Sequence, residues 1–225
     1  MPTAADAPAL RLAVLISGRG SNMLSLAREC AAGRVTAAIA IVISDEADAP
    51  GLVRAAELGL PTRLVDADDY RSAQRFDKPA FEEALTSAID ASGAGLVVLA
   101  GFMRVLSPQF VAHYAGRILN IHPSLLPRHK GLHTHERALA AGDAEHGVSV
   151  HYVTADLDGG PVIVQARVPV LPGDTAASLS ARVQAQEHII YPLVVQWIAS
   201  GRLEYGEGNP TLDGVALTTP RQEST

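Results

Sequence analysis

Short apolar runs that alternate with helical patterns are the feature that most constrains how this chain can fold. Three such runs cover residues 10–17, 37–44 and 95–100. Near-continuous apolar strands of this length are typical of a parallel sheet that is covered on both faces. Helical patterns that end at glycine follow them, over residues 50–58 and 79–92. This order predicts an α/β fold with a doubly wound, Rossmann-like and mostly parallel sheet.

The C-terminal part of the chain has a different pattern. The runs over residues 147–154 and 162–170 are joined by a short loop, which predicts an antiparallel hairpin. A long helix is expected over residues 177–200, with Thr175 as its N-cap and Pro192 as a kink. No linker or repeat marks a second domain. We therefore expect residues 1–225 to form a single domain with loose ends over residues 1–9 and about 215–225.

The charge and the cysteine content limit the kinds of partner and the cellular compartment that we expect for this chain. The net charge of -6 gives no basic surface for nucleic acid. Cys30 is the only cysteine, so an intramolecular disulfide is excluded and a reducing compartment fits. No apolar run reaches the roughly 18 residues of a spanning helix, and the N-terminus lacks the pattern of a signal peptide. We expect a cytoplasmic protein that binds small molecules, with no nucleic acid and no membrane partner.

A glycine turn follows the first predicted strand. It reads Gly-Arg-Gly-Ser-Asn over residues 18–22, and backbone amides at such a strand–helix junction can hold a phosphate. Met23 occupies the place of the third glycine of a dinucleotide fingerprint, and the lysine of a P-loop is absent. We therefore favour a small monophosphate site at Gly20, Ser21 and Asn22. The alternative is a structural turn with Ser21 as N-cap.

Asp45 closes the second predicted strand. An acid at this point binds a ribose in dinucleotide folds, but it is more often a turn or cap residue. Both interpretations stay open from the sequence.

The stretch Asn-Ile-His-Pro-Ser-Leu-Leu-Pro, residues 120–127, follows a short strand that begins near residue 116. Because strand side chains alternate, Asn120 and His122 share a face while Ile121 lies on the other. Pro123 and Pro127 then restrict the chain as it leaves the strand. Two polar groups held by a stiff loop suit catalysis, although a strand end whose Asn and His satisfy backbone groups is the alternative.

Four polar segments are expected at the carboxyl ends of the strands, where open α/β sheets bind ligands. They are residues 18–22, residues 101–106, Asn120 with His122, and the loop that contains Asp158. An Asn, a His and an Asp in one pocket suit acyl transfer between nitrogens. Asn120 would donate to the oxyanion, which is typically worth about 3 kcal/mol, and a protonated His122 would stabilise the same charge. Asp158 would keep the imidazole charged and relay a proton.

This scheme needs no metal. His133 and His135 have the spacing of a ligand pair, but no third ligand of matching spacing follows them. We therefore expect no metal site.

The chain resembles the formyl-folate transferase family over nearly its whole length. Residues 120–127 alone are typical of the wider family. Together with the glycine turn and Arg-Val-Gln-x-x-Glu-His at residues 182–188, they are similar to the branch that formylates 5'-phosphoribosylglycinamide in purine synthesis. The other matching stretches are residues 14–22, 97–104, 131–135 and 157–161.

The resemblance implies site residues by their position in the motifs. The family's catalytic residues fall on Asn120, His122 and Asp158, its phosphate loop on Gly20, Ser21 and Asn22, and further ribonucleotide contacts on Gln184 and Glu187. It places the folate against Met103, Arg104, Val105, Leu106, Asn120 and Asp158, and Lys78 stands near a family arginine that helps to hold the folate. Lysine keeps the charge of that arginine but loses its bidentate fork.

The resemblance also implies partners and competing activities. The co-substrate would be 10-formyltetrahydrofolate, without a metal, and a homodimer is a further expectation. Formyltetrahydrofolate deformylase uses the same residues with water as acceptor, but it usually carries an N-terminal regulatory domain, and only about nine residues precede the first strand here. Methionyl-tRNA formyltransferase usually adds a C-terminal RNA-binding domain. A non-catalytic nucleotide-binding module on the same fold is the third alternative.

Overall fold

The computed structural model describes residues 10–73, 75–206 and 208–223, which contain eleven strands and six α-helices. The strands are β1 (Leu10–Ile16), β2 (Ala37–Ser44), β3 (Thr62–Leu64), β4 (Leu96–Leu99), β5 (Ile118–His122), β6 (Glu145–Tyr152), β7 (Val162–Pro169), β8 (Leu203–Gly206), β9 (Asn209–Leu212), β10 (Val215–Ala216) and β11 (Arg221–Glu223). The helices are α1 (Ser21–Ala31), α2 (Pro50–Glu57), α3 (Lys78–Ala91), α4 (Pro108–His113), α5 (Thr134–Ala141) and α6 (Ala176–Ala199).

The main sheet has eight strands in the order β11-β7-β6-β5-β4-β1-β2-β3. Strands β1 to β5 pair in parallel, which confirms the predicted α/β fold with a mostly parallel sheet. The predicted antiparallel hairpin is formed by β6 and β7. Strand β6 is also antiparallel to β5, a pairing that the sequence did not predict. The carboxyl ends of β1, β2, β4 and β5 therefore lie along one edge of the sheet.

The sheet is buried on both faces, as its apolar strands require. In β1, Leu12, Val14 and Ile16 pack into the core on the side of α1 and α6. Ala13 and Leu15 pack into a second core that contains residues of α3 and α4. All five side chains are fully buried, because β1 lies in the middle of the sheet and has helices on both sides.

Helix α6 continues through Pro192 from Ala176 to Ala199. Proline has no N–H, so the carbonyl of His188, one turn earlier, loses its helical partner. The hydroxyl of Ser25 on α1 donates to that carbonyl at 3.0 Å. The two helices are thus joined at the point where the proline interrupts the hydrogen bonds of α6, while a kink at this proline stays a prediction.

Two segments are more ordered than the sequence suggested. Between β3 and α3, where the sequence is polar and shows no helix or strand pattern, Ala67–Tyr70 forms a 3-10 helix and Arg71 bridges to Phe76. In the C-terminal part, β8, β9 and β10 form a separate antiparallel sheet, and β11 pairs with β7. Two buried side chains, Leu203 and Leu212, anchor this small sheet to the main core. These isolated leucines in a polar segment did not give a recognisable strand pattern.

The chain ends are described only in part. The pairing of β10 and β11 differs from the fraying that we expected after about residue 215. Residues 1–9 and 224–225, which belong to the expected loose ends, lie outside the described residues. The assignment of the whole chain to a single domain stays a prediction. Among the described helices, none is both long and apolar enough to cross a membrane.

A buried tyrosine joins α6 to the middle of the sheet. The hydroxyl of Tyr191 donates to the carbonyls of Leu99, at 2.9 Å, and Leu119, at 3.2 Å. Leu99 is the last residue of β4, and Leu119 directly precedes Asn120 in β5. The tyrosine is completely buried, and burial raises the pKa of its hydroxyl well above the ordinary value. It therefore stays a neutral donor.

We expect Tyr191→Phe to lower the free energy of unfolding by about 1–3 kcal/mol, because two buried carbonyls lose a donor without gaining water. Chemical denaturation measures this change. Tyr205→Phe is the matched control, since the hydroxyl of Tyr205 makes no hydrogen bond among the described residues. Equal stability of the Tyr191→Phe variant and the unmodified protein would contradict a structural role for the hydroxyl.

Candidate active site

A cavity of about 800 Å³ opens at the carboxyl ends of β4 and β5. It is lined by Asn120 and His122 at the end of β5, by residues 101–106 after β4, and by residues 153–158 after β6. Asn120, His122 and Asp158, which the sequence singled out far apart in the chain, therefore face one space. The volume is large enough for a drug-sized ligand.

His122 lies between a carbonyl and a carboxylate. Its Nε2 is 3.0 Å from the carbonyl oxygen of His129, which can only accept, so Nε2 carries a proton. Its Nδ1 is 3.5 Å from Oδ2 of Asp158. Both side chains are largely buried. The ring is thus held with Nδ1 towards the carboxylate and the cavity.

Asp158 is held by its backbone as much as by its side chain. Its Oδ2 accepts from the backbone N–H of Gly131 at 2.8 Å. Its φ of 46° lies in the left-handed region, which is strained for a residue with a side chain. Two glycines follow, and a Cβ at Gly160 would lie 1.9 Å from the carbonyl oxygen of Tyr152. The Asp-Gly-Gly sequence is therefore needed for the loop to pass close over the end of β6.

The loop that contacts His122 and Asp158 is itself fixed by His129 and Asp143. The imidazole of His129 contacts Oδ2 of Asp143 at 2.6 Å. Hydrogen bonding to this imidazole lowers the pKa of the Asp143 carboxyl. This loop thus provides two backbone contacts: the carbonyl of His129 to His122 and the N–H of Gly131 to Asp158.

His151 is a site residue that the sequence analysis missed. Its Nδ1 is 2.9 Å from the carbonyl of Tyr152, and its Nε2 is 3.1 Å from Nδ2 of Asn120. Burial lowers the pKa of His151 to about 4, so the ring is neutral near pH 7. Nδ1 must donate to the carbonyl, which leaves Nε2 as an acceptor for the Asn120 amide N–H. The neutral histidine therefore decides which way the Asn120 amide points.

The register of β5 and β6 explains how His151 reaches this position. In the antiparallel pair, Asn120 lies opposite His151 and His122 lies opposite Ser149. The alternation in β6 was visible in the sequence, but its pairing with β5 was not. Only that pairing would have marked His151 as a partner of Asn120.

A buried polar network holds the turn that follows His122. The hydroxyl of Ser149 donates to the carbonyl of Ser124 at 2.7 Å and accepts from the backbone N–H of Leu126 at 3.0 Å. The side-chain amide of Gln165 on β7 donates to that hydroxyl and to the carbonyl of Leu126. The prolines were expected to stiffen this turn, and two neighbouring strands also fix it through side chains.

The outer wall of the cavity is apolar. Met103 and Val105, which line it, are 66% and 59% exposed. Leu132 and Leu157 also line it and are 67% and 55% exposed. Leu106 is buried behind them and also lines the cavity. Such a group of exposed apolar side chains around a cavity is typical of a site for a flat apolar ligand.

The two cations predicted for the folate differ in position. Arg104 lines the cavity, but its guanidinium contacts the carboxylates of Asp45 and Glu46. Lys78 lies outside the lining residues, with its Nζ 3.9 Å from Glu82. Glu82 in turn accepts hydrogen bonds from the backbone and hydroxyl of Ser107, just beyond the wall. A contact between Lys78 and the folate stays a prediction.

The glycine turn begins α1 without a side-chain cap. Gly20 is the N-cap, with a φ of 69°, and Ser21 is the first helical residue, so Ser21 as N-cap is wrong. A Cβ at Gly51 of α2 would lie 2.7 Å from the carbonyl oxygen of Gly18, which shows how closely α2 approaches the turn. The first amides of α1, without a side-chain acceptor, suit an anionic group.

The residues of α1 and α6 that are predicted to bind the ribonucleotide contact each other in two pairs. The amide of Gln184 donates to the hydroxyl of Ser21 at 3.2 Å, and Asn22 Nδ2 donates to Glu187 at 2.8 Å. Burial raises the pKa of Glu187. Oδ1 of Asn22 is buried and has no partner among the described atoms. An acceptor in this state suits a ligand that brings a donor such as a hydroxyl group.

Of the two histidines at residues 133 and 135, His135 contacts a third histidine. Nδ1 of His135 is 3.1 Å from Nε2 of His146, and burial lowers the pKa of both rings. Within residues 10–73, 75–206 and 208–223, no three His, Cys, Asp or Glu side chains are grouped as metal ligands.

Comparison with known proteins places the chain among formyl transferases. A model of the formyl transferase family matches residues 10–195. Phosphoribosylglycinamide formyltransferase of Escherichia coli K12 is 51% identical over 208 residues, which are 92% of this chain and 96% of that protein. The structure of phosphoribosylglycinamide formyltransferase from Coxiella burnetii has a TM-score of 0.88 and 48% identity, and the match covers 96% of this chain and 100% of that one.

A formyltetrahydrofolate deformylase from Pseudomonas syringae pv. tomato shares the fold, with a TM-score of 0.81. Its identity is 24%, and the match covers 92% of this chain and 66% of that one. This likeness concerns the fold alone.

The neutral state of His151 predicts a pH dependence of stability. Its pKa is about 4 in the folded protein against an ordinary value of 6.5, so the unfolded chain binds the proton first as the pH falls. Stability should be constant above pH 6.5 and fall between pH 6.5 and 4, at about 1.4 kcal/mol per pH unit for one histidine. His146, whose pKa is also about 4, contributes in the same direction.

Urea unfolding at pH 8, 7 and 5 of the unmodified protein and of His151→Gln measures this contribution. Glutamine can still accept from Asn120 but does not titrate. We expect the stability difference between the two proteins to be equal at pH 8 and 7, and to shift in favour of the variant by about 1–2 kcal/mol at pH 5. A difference that does not change with pH would contradict a neutral His151.

Proposed function

The chain belongs to the formyl transferase family, and we propose from this premise that it acts as a phosphoribosylglycinamide formyltransferase. The enzyme transfers the formyl group of 10-formyltetrahydrofolate to the amine of 5'-phosphoribosylglycinamide in purine synthesis. The observation that carries the proposed chemistry is the meeting of Asn120, His122 and Asp158 in one cavity.

The two substrates fit two parts of the site. The folate would enter the cavity between the apolar wall of residues 101–106 and the loop that leads to Asp158. The phosphate would bind the uncapped N-terminus of α1 at Gly20, Ser21 and Asn22, beside Gln184 and Glu187. Because β1, β4 and β5 are neighbours in the sheet, both parts lie along the same edge.

The attacking group is the amine of the substrate itself, so no side chain needs to form a covalent intermediate. As the amine adds to the formyl carbon, the carbonyl oxygen becomes an oxyanion. One N–H of the Asn120 amide is bound to His151, and the other is left to donate to this oxygen. One such donor is worth about 3 kcal/mol in the transition state.

His122 and Asp158 handle charge and protons. Since Nε2 of His122 is occupied by the carbonyl of His129, Nδ1 is the nitrogen that can gain a proton or face the oxyanion. The carboxylate of Asp158, 3.5 Å away, stabilises positive charge on the ring. The attacking nitrogen loses one proton and N10 of the folate gains one, so the transfer is balanced. Asp158 would relay this proton, through a water where the distance requires it.

Hydrolysis of the same folate by water is the competing activity. It would need neither the uncapped N-terminus of α1 nor the unpartnered Oδ1 of Asn22. These features support an acceptor that carries a phosphate and hydroxyl groups.

We also propose that the enzyme acts in the cytoplasm, which the lone cysteine Cys30 supports, since reducing compartments do not favour disulfides. The homodimer stays a prediction.

Single-turnover formyl transfer tests the proposed function. Enzyme in excess over 10-formyltetrahydrofolate is mixed with and without phosphoribosylglycinamide, and the folate product is followed with time. We expect tetrahydrofolate to form only with the ribonucleotide and in equal amount to the formylated product. Deformylation at the same rate with water alone would identify the chain as a hydrolase on the same scaffold.

We expect Asp158→Asn to lower kcat by at least about 100-fold and to change the KM of both substrates by less than about threefold, because the lost charge acts in the transition state. Steady-state kinetics measures both constants. Asp48→Asn, at an exposed carboxylate away from the cavity, is the charge-matched control and should leave both unchanged. Equal losses in kcat and in binding would assign Asp158 a structural role.

A further inference from the structure

Asp45 is a buried carboxylate that takes no part in the mechanism above. It lies just after β2, is 1% exposed and does not line the cavity. Oδ1 accepts from the hydroxyl of Ser17, and Oδ2 accepts from Nε of Arg104, both at 2.5 Å. Both oxygens are therefore used within the protein. Because the side chain is also almost completely buried, these contacts favour a structural role for Asp45 over the ribose contact that the sequence left open.

The groups that Asp45 holds belong to the cavity wall. The hydroxyl of Ser17 donates to Asp45 and accepts from the backbone N–H of Met103 at 2.9 Å. Arg104, the next residue, contacts Asp45 directly. The backbone N–H of Ser17 also donates to the carbonyl of Gly101 at 3.1 Å. One carboxylate thus holds Arg104 directly and Met103 through a serine hydroxyl.

This part of the wall depends on such contacts because it has no regular structure. Residues 100–107, between β4 and α4, form neither helix nor strand. Met103 and Val105 are exposed at the mouth, so packing from the outside does not fix them. The guanidinium of Arg104 also lies 5.2 Å from the ring centre of Phe76 and 5.6 Å from that of Phe81, so two aromatic rings add to the contacts that Arg104 makes with carboxylates.

We propose that Asp45 is a positioning residue for the folate: it sets the place of the Met103–Arg104 wall through Arg104 and Ser17 without touching either substrate. The proposal rests on the function proposed above, in which the folate occupies this cavity. It predicts that the charge of Asp45 controls folate affinity and leaves ribonucleotide affinity alone.

The glycine turn next to Ser17 has separate supports. The backbone N–H of Gly51 donates to the carbonyl of Gly18 at 2.9 Å. Ser21 and Asn22 are bound to Gln184 and Glu187 on α6. A change at Asp45 therefore moves the wall while the phosphate turn keeps its place.

Asp45→Asn tests the proposal with little change in shape. An asparagine oxygen can still accept from Arg104, but its NH2 group cannot accept from the Ser17 hydroxyl. We expect the KM for 10-formyltetrahydrofolate to rise about tenfold, while the KM for phosphoribosylglycinamide and kcat change by less than about threefold. A purely structural defect would lower kcat and affect both substrates together.

Two further variants sharpen the test. Glu46→Gln is the matched control, because Glu46 also contacts Arg104 but is half-exposed and does not hold Ser17. Both KM values of this variant should stay within about twofold of those of the unmodified protein. Ser17→Ala keeps the Arg104–Asp45 pair and removes both hydrogen bonds of the Ser17 hydroxyl, the one it donates to Asp45 and the one it accepts from Met103. It should raise the KM for 10-formyltetrahydrofolate by about threefold. In the double variant Ser17→Ala/Asp45→Asn, this KM should rise by less than the product of the two single rises, because both substitutions break the same set of contacts.

Direct binding of tetrahydrofolate, measured by calorimetry on the full-length protein, distinguishes a failure of the positioning role from a failure of the proposed function. Thermal unfolding first shows whether each variant is folded. If Asp45→Asn is not folded, the binding measurement uses Ser17→Ala. A dissociation constant unchanged in the folded variants would overturn the positioning role while the proposed function stands. Failure of the unmodified protein to bind tetrahydrofolate would overturn the proposed function and the positioning role with it.

Discussion

The antiparallel pairing of β5 with β6 is the constraint on which the site depends. It sets His151 opposite Asn120 and Ser149 opposite His122, so each polar residue of β5 has a buried polar residue across from it. The same strand ends in the loop that carries Asp158. A shift of one residue would turn every side chain of β6 to the other face and separate His151 from Asn120.

Burial gives these polar groups their fixed roles. His151 and His146 are almost completely buried, and desolvation lowers the pKa of both rings to about 4. A neutral ring can accept a hydrogen bond, whereas a charged ring can only donate. The amide of Asn120 is therefore oriented by a histidine that never needs to charge near neutral pH. Likewise, the turn after His122 is held because each polar atom of Ser149 has a partner.

Much of the fold was visible in the sequence because strands buried on both faces leave an unbroken apolar pattern. β2 was predicted with its bounds, and β1, β4 and β5 were found within a few residues. The short strands β8 to β11, which lie in polar segments, were missed. They depend on the burial of Leu203 and Leu212 in the core and on the pairing of β11 with β7, and the local sequence pattern shows neither. The glycine turn was found, but the identity of its cap was wrong, since Gly20 and not Ser21 begins α1.

The sequence by itself determined the order of the elements and the residue types at the site: Asn120, His122 and Asp158, the glycines that flank them, and the resemblance to formyl-folate transferases. These follow from local patterns and motifs, which a single segment of chain carries. Only the tertiary structure decided which groups support them. His151, Ser149 and the Asp45–Arg104 pair act across 23 to 59 positions of sequence, and His129 acts on His122 through its backbone carbonyl. Contacts of this kind depend on strand register and loop closure, and neither is encoded in the identity of one residue.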